Sequence, residues 1–431
     1  DDSVTLMGWM KDMPAEAWEK GRSVEILRNN IFTDKQESFV AAMDSTGRFS
    51  VRVPLVNTSE IYIDIGRKGV NTVVEPGETY FLLHDFSTGH VLFMGEDVRF
   101  QNELQTHPPL YVDGYLRKGQ GTVDEFRTQM EDKYRHAVEE LSRRVEEHPN
   151  LSRRYRYFME SFALTGLGRS MMQARFAVPD WQLPEDYVDF VRTKVWQRPP
   201  KPYTLCQTFS TLMRDYIDHS SEAKDKVRGD VTFNAFESLQ QRGEISMTEE
   251  EVNTVEAYQM TVRELQEKLN AEPSDSLRQR MVVEFGKSEL SQRFMSLVTR
   301  FEDVLNEEIL IDNIDFLKED AESVGCDSFL CQIHLARKLY GLIDNMRKPL
   351  PDRMMAKAEW GIRLEGGWDI VSREQEKYVS IQNRDLSDVS SLRSAEDVKD
   401  VTGGEALLRK LTEPYRGKLV LLDIWGTWCG P

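Results

Sequence analysis

Leu419-Val420-Leu421-Leu422-Asp423-Ile424-Trp425-Gly426-Thr427-Trp428-Cys429-Gly430-Pro431 joins a nearly unbroken apolar run to a cysteine set between tryptophan and Gly-Pro. A short apolar run of this kind, ended by glycine and proline, reads as a strand buried on both faces. Just upstream, Glu405-Ala406-Leu407-Leu408-Arg409-Lys410-Leu411 reads as a short helix ended by Pro414, with Arg416-Gly417-Lys418 turning into the strand. Helix, turn and buried strand thus follow one another in that order over 405–431. Before them, 372–404 is polar, rich in Ser and Asp and poor in large apolar residues, as a linker would be.

Further upstream the texture divides in two. Residues 102–371 carry apolar side chains at spacings of three and four, the pattern of an all-α domain. Phe126, Met130, Tyr134, Val138, Leu141 and Val145 predict one such stripe, and 249–269, 290–310 and 329–346 predict others. Breaks such as Arg198-Pro199-Pro200-Lys201-Pro202 separate them. Residues 1–101 instead show short alternating runs between turn signals. Asp44-Ser45-Thr46-Gly47 predicts a hairpin turn into the alternating strand Arg48-Phe49-Ser50-Val51-Arg52-Val53, and Glu75-Pro76-Gly77-Glu78 predicts another turn. An antiparallel β-sandwich is the expected fold. The stretch from Lys11 to Gly21, with Trp9 and Trp18 close by, is too long for a tight hairpin and matches no element. The whole chain therefore reads as multidomain: β-sandwich, all-α middle domain, linker, and the start of an α/β domain.

At 431 residues the chain exceeds what one core usually organises. A net charge of −18 argues against nucleic acid, whose binding draws mainly on clustered Lys and Arg. No apolar run approaches the ~18 residues of a transmembrane helix. The opening Asp1-Asp2-Ser3, without an initiator Met, fits a processed exported protein or a shortened chain.

The order short helix, Tyr415-x-Gly417-Lys418, apolar strand, Trp425-x-x-Trp428-Cys429-Gly430-Pro431 strongly resembles the entry to thioredoxin-like domains of the TlpA/ResA type. Residues 1–101, with Asp44-x-x-Gly47-x-Phe49 and Pro76-Gly77-Glu78, resemble the β-domain that precedes such domains in bacterial envelope proteins. The resemblance implies a thiol-disulfide oxidoreductase of the periplasm or cell envelope. Cys429 would be the nucleophile, Gly430 and Pro431 the intervening dipeptide, and Trp425 and Trp428 an aromatic rim. In that family the strand delivers the cysteine to a helix N-terminus, where unpaired N–H groups and the helix dipole favour thiolate. The resolving cysteine of a Cys-x-x-Cys spacing would fall beyond Pro431, and the family's cis-proline loop has no counterpart here. The thioredoxin-like domain thus reads as truncated, able to form mixed disulfides but not to turn over. Protein disulfides are the implied substrates, a membrane-bound thiol the implied electron donor, and the front domains would select substrate; no cofactor is implied. A non-enzymatic binding or assembly module of the envelope is the alternative.

The remaining cysteines and soft ligands point less sharply. Cys326 and Cys331 would diverge within one helix. An N-cap at Asp327 or Ser328 would place Cys326 outside the helix and allow a structural disulfide with Cys331. Cys206 reads as a small buried side chain. The seven histidines are scattered without zinc-site spacing, so no metal is expected, and Met171-Met172 and Met354-Met355 read as core filler.

Overall fold

The computed structural model describes residues 3–65, 69–220, 229–384 and 398–421. Its contacts divide the chain into two compact units, Asp1–Tyr378 and Val379–Pro431. In the first, eight strands form two four-stranded sheets and helices follow.

The strands are β1 (Ser3–Lys11), β2 (Ser23–Asn30), β3 (Lys35–Ala42), β4 (Arg48–Pro54), β5 (Ser59–Asp64), β6 (Gly69–Val74), β7 (Thr79–Asp85) and β8 (His90–Met94). One sheet has the order β4-β1-β7-β8 and the other β3-β2-β5-β6. Alternate residues of both supply a common core: Val4, Leu6, Val24, Ile26, Ile61, Ile63, Tyr80 and Leu82. Gly8 faces the same interior because a Cβ there would meet the Phe49 ring at 2.4 Å. Two expectations change. The sandwich is not wholly antiparallel, since β1 runs parallel to β7 with Thr5 opposite Thr79 and Lys11 opposite Asp85. The Asp44 turn forms as expected, its carboxylate accepting from the Thr46 and Arg48 N–H groups at 2.8 and 2.9 Å. However, it joins strands of opposite sheets and so makes a crossing rather than a hairpin. Turn chemistry reverses the chain; it does not choose the strand's partner. The unmatched stretch after Lys11 holds α1 (Ala15–Lys20), which carries the chain from one sheet to the other.

The helices are α2 (Arg99–Thr106), α3 (Val123–Glu147), α4 (Arg153–Gln173), α5 (Glu185–Val191), α6 (Gln207–Ser220), α7 (Gly229–Gln241), α8 (Glu249–Ala271), α9 (Asp275–Gly286), α10 (Glu289–Arg300), α11 (Glu302–Ser323), α12 (Ser328–Met346), α13 (Asp352–Gly361) and α14 (Glu365–Gln382). Local chemistry sets their starts: Thr122 with Glu125 opens α3, and Thr248 with Glu251 opens α8, each a reciprocal capping box. On α3, Phe126, Met130, Ala137 and Leu141 are buried while Val138 is exposed. The buried stripe thus passes through Ala137 rather than the expected Val138. The tract expected to be a linker from 372 begins inside α14, where Gln375 and Tyr378 are buried.

Three junctions join sandwich to helices within the first unit. Helix α2 lies along the sheet edges, Asn102 bonding both the N–H and C=O of Phe93 while Gln101 donates to the Val73 carbonyl. Such coverage removes open edges. At the second junction, Glu60 of β5 accepts the Gln207 N–H at 2.8 Å and so caps α6 from a neighbouring strand. Burial pushes its carboxyl up to about 7, against the pull of that N–H.

The third is the β2–β3 turn, whose Ile31 and Phe32 enter the helical core. Gly367 of α14 leaves room for Phe32, since a Cβ there would stand 3.0 Å from its ring. Arg337 of α12, fully inside, donates twice to the Ile31 carbonyl (3.0 and 2.7 Å) and once each to the Ser210 carbonyl and hydroxyl (3.0 and 2.8 Å). Asp34 stands 3.5 Å from it and pairs with Arg214.

Replacing Arg337 with Met strands the Ile31 and Ser210 acceptors and leaves Asp34 with one partner fewer. We expect a loss of roughly 3–5 kcal/mol in urea unfolding; a loss below about 1 kcal/mol would remove Arg337 from this role. His334, one turn earlier on α12, is buried with no hydrogen bond to either ring nitrogen. Burial first, then the Lys338 and Arg337 cations, push it down to about 3 against the opposing Asp218. The unfolded imidazole, near 6.5, takes up a proton that the folded one refuses. Stability from this group is therefore complete above about pH 6.5 and is lost as pH falls toward 3. Against His334→Leu, the wild type should lose stability by up to about 1.4 kcal/mol more per pH unit in that window.

Candidate functional site

Cys429, Trp425, Trp428, Gly430 and Pro431 lie outside the described residues. The part of their unit that is described contains the expected helix, α15 (Gly404–Thr412), followed by a 3-10 turn over Glu413–Tyr415. Gly417 then takes φ +82°, which fits the expected turn. Residues 419–421, expected to begin a buried strand, carry no strand assignment, and Leu419 and Leu421 are exposed. An apolar run becomes a strand only beside a partner strand, and the described residues of this unit contain none.

The other sequence candidates lie in the first unit. Asp327 is the N-cap of α12, accepting from the Leu330 N–H at 2.9 Å, and Cys326 stands just outside that helix. The expected capping arrangement is present, yet the Cys326–Cys331 disulfide it was expected to allow does not form, and both thiols are free. Cys331 Sγ lies 3.7 Å from the Cys326 carbonyl oxygen, so it is turned toward the backbone of that residue. Burial pushes Cys326 up to about 12 and Cys331 up to about 11, which keeps both protonated and poorly nucleophilic. Cys206 is wholly buried beside Phe158 and Phe162. Met171, Met172 and Met354 are likewise core residues. Among the described residues, no three His, Cys, Asp or Glu side chains gather as a metal site would require, and no helix is long and apolar enough to cross a membrane.

The most developed concave surface surrounds a stretch that sequence reading treated only as a helix break. Residues 198–203, Arg-Pro-Pro-Lys-Pro-Tyr, border four cavities, three of them large. One, of about 850 Å³, opens between α5, α6 and the α11–α12 turn. A second, of about 650 Å³, is a groove along α3 and α4, and a third, of about 320 Å³, reaches Asn57 and Thr58 of the sandwich. The segment is held at both ends. Trp196 before it donates Nε1–H to the Val324 carbonyl at 2.8 Å and stacks on Tyr216 at 4.5 Å. After it, the Tyr203 hydroxyl donates to Asp327 at 3.3 Å, and Thr204 bonds the Thr58 carbonyl at 2.7 Å.

Lys201 sits at the centre. Its Nζ lies over the Trp196 ring, 4.5 Å from the centroid, and no carboxylate stands within ion-pair distance among the described residues. Burial pushes the amine down to about 8, only partly opposed by Cys326 and Asp327. A desolvated amine with a perturbed proton affinity, set in a cleft, marks a candidate site. The sequence offered one signal for it: a single lysine inside a run of three prolines.

Comparison of the chain with protein-family models, with curated proteins and with solved structures found no match.

Lys201 should titrate near pH 8 in an NMR titration of its side chain, where an ordinary lysine titrates near 10.4. Because the folded amine releases its proton first, the unfolded chain binds more protons between those values. The wild type should therefore gain stability relative to Lys201→Met as pH rises from about 8 toward 10.4. A midpoint above 10 would mean that the amine is solvated.

Proposed function

We propose that this chain is the front portion of a thiol-disulfide oxidoreductase of the bacterial envelope, with Cys429 as its nucleophile. The observation that carries this reading is the sequence Trp425-Gly426-Thr427-Trp428-Cys429-Gly430-Pro431 after an apolar run, a short helix and a glycine turn. A two-sheet region and helices ahead of that motif agree with the resemblance at the level of layout.

In the proposed reaction the Cys429 thiolate attacks one sulfur of a protein disulfide. The S–S bond breaks, a substrate thiolate leaves, and a mixed disulfide forms. A resolving cysteine placed after Pro431 in the natural protein then attacks Cys429 Sγ and releases the second substrate thiol. The resulting enzyme disulfide is reduced again by a membrane-bound dithiol, which closes the balance. Trp425 and Trp428 would form an apolar rim around the nucleophile.

A second reading, a non-enzymatic binding or assembly module, is favoured by the cavities that converge on residues 198–203 of the first unit. The two readings separate experimentally. In the protein purified from its own cells, peptide mapping should find cysteine directly after Pro431. Reduction of a model protein disulfide should be lost on Cys429→Ser, and the Cys429 alkylation rate should titrate well below the ordinary thiol value of about 8.5. Undiminished reduction by Cys429→Ser, or an ordinary thiol titration, would leave the binding module as the remaining reading.

A further inference from the structure

We propose that the 850 Å³ cleft beside residues 198–203 binds a small organic monocarboxylate with an apolar or aromatic body, its carboxylate seated on Lys201. The cleft lies within the range of small-molecule sites, roughly 300–1,000 Å³. Its walls offer an apolar shelf, Val188, Pro199, Pro200 and Tyr203, beside the Lys201 ammonium.

The charges around it select the ligand. Arg192, the other cation of the lining, already pairs with Asp189 at 2.8 Å. Asp327 is committed to the α12 N-terminus and to the Tyr203 hydroxyl. Glu185 is exposed to water at the mouth, where its charge is screened. Among the described residues, Lys201 is thus a half-buried cation whose close partner is the Trp196 ring. A buried charge is compensated by a counter-charge of opposite sign, and none of the three carboxylates supplies one at contact distance. A ligand carboxylate would. A dianion such as a phosphate monoester would bring a second charge facing Asp189, Asp327 and Glu185, and among the described residues of the lining the other cation, Arg192, already pairs with Asp189. The site is therefore matched to one negative charge.

This inference does not rest on the redox reading, because the cleft belongs to the first unit and Cys429→Ser should leave it unchanged. The test uses the full chain with 3-phenylpropionate, its neutral amide 3-phenylpropionamide, and phenyl phosphate. Lys201 is followed by NMR, and affinities are taken from the titrations. A probe of this size is expected to bind in the low-millimolar range. The expected result is saturable binding of the acid that raises the Lys201 titration midpoint, with the amide and phenyl phosphate each at least tenfold weaker. Lys201→Met and Lys201→Gln should each weaken the acid at least tenfold while leaving the amide unaffected. No shift of Lys201 by the acid at about 10 mM, equal binding of the amide, or tighter binding of phenyl phosphate would each overturn the assignment. Because the NMR readout is made on the wild type, a variant that fails to fold does not shield the proposal.

Discussion

The Arg337 guanidinium holds the first unit together at the point where its two kinds of secondary structure meet. A turn between strands normally lies in water, where its carbonyls are solvated. Here the β2–β3 turn sends Ile31 and Phe32 into the helical core, so the Ile31 carbonyl loses water and needs a donor. Arg337 supplies two N–H groups to that oxygen and its remaining contacts to Ser210 of α6, so strand, α6 and α12 are fixed relative to one another by one planar group. Burial lowers its proton affinity toward about 10, yet it stays charged at physiological pH. Asp34, Arg214, Asp215 and Arg175 extend the set, with Arg214 bridging the two aspartates at 2.5 and 2.9 Å and Arg175 at 2.8 Å from Asp215. Asp34 reaches its place through a left-handed backbone, φ +57°, which an aspartate tolerates better than most residues.

That junction also determines where the cleft can exist. Helix α6 is fixed at its N-terminus by Glu60 and in its first turn by Arg337 at Ser210, and it carries Tyr216 to the Trp196 ring. Helix α12, fixed by the same guanidinium, presents Asp327 at its N-cap to the Tyr203 hydroxyl. The proline segment is therefore strung between two anchored helices and one strand, and its φ angles are restricted by three pyrrolidine rings. In this arrangement the Lys201 amine rests over the Trp196 ring.

How much of this was legible in the sequence follows from the range over which each signal acts. Alternation in 48–53 and the chain reversals at Asp44 and Gly77 are local, and the structure forms them, although the Asp44 reversal crosses between sheets instead of making the expected hairpin. Partner choice is not local. Nothing in β1 or β7 specifies that Thr5 lies beside Thr79 in parallel, because alternation fixes which face is buried and not which neighbour is bonded. The same limit hid the β2–β3 turn: Ile31-Phe32-Thr33-Asp34 looks like any turn with two apolar residues until α12 and α14 cover it. Cys326 and Cys331 show the reverse case, in which spacing and capping were read correctly but the thiols remain apart. The proposed role of Cys429 rests on a run of adjacent residues, which a sequence displays directly, whereas the Lys201 cleft is assembled from residues more than a hundred positions apart.

Lys201 itself departs from what stability alone would favour. Carboxylates line the same cleft, and a slightly different path for residues 198–203 would let one of them neutralise the amine. Instead Asp189 is held by Arg192, Asp327 by the α12 N-terminus and Tyr203, and the amine is left over an indole face whose attraction is weaker than an ion pair in the same surroundings. Proteins tolerate such local conflicts mainly where a site must stay open for something else. The three prolines act in the same direction, since they fix the backbone that keeps the cation and the carboxylates apart. What the fold maintains among its described residues is a lysine ammonium over an indole face at the edge of a cavity, with no carboxylate of the lining paired to it.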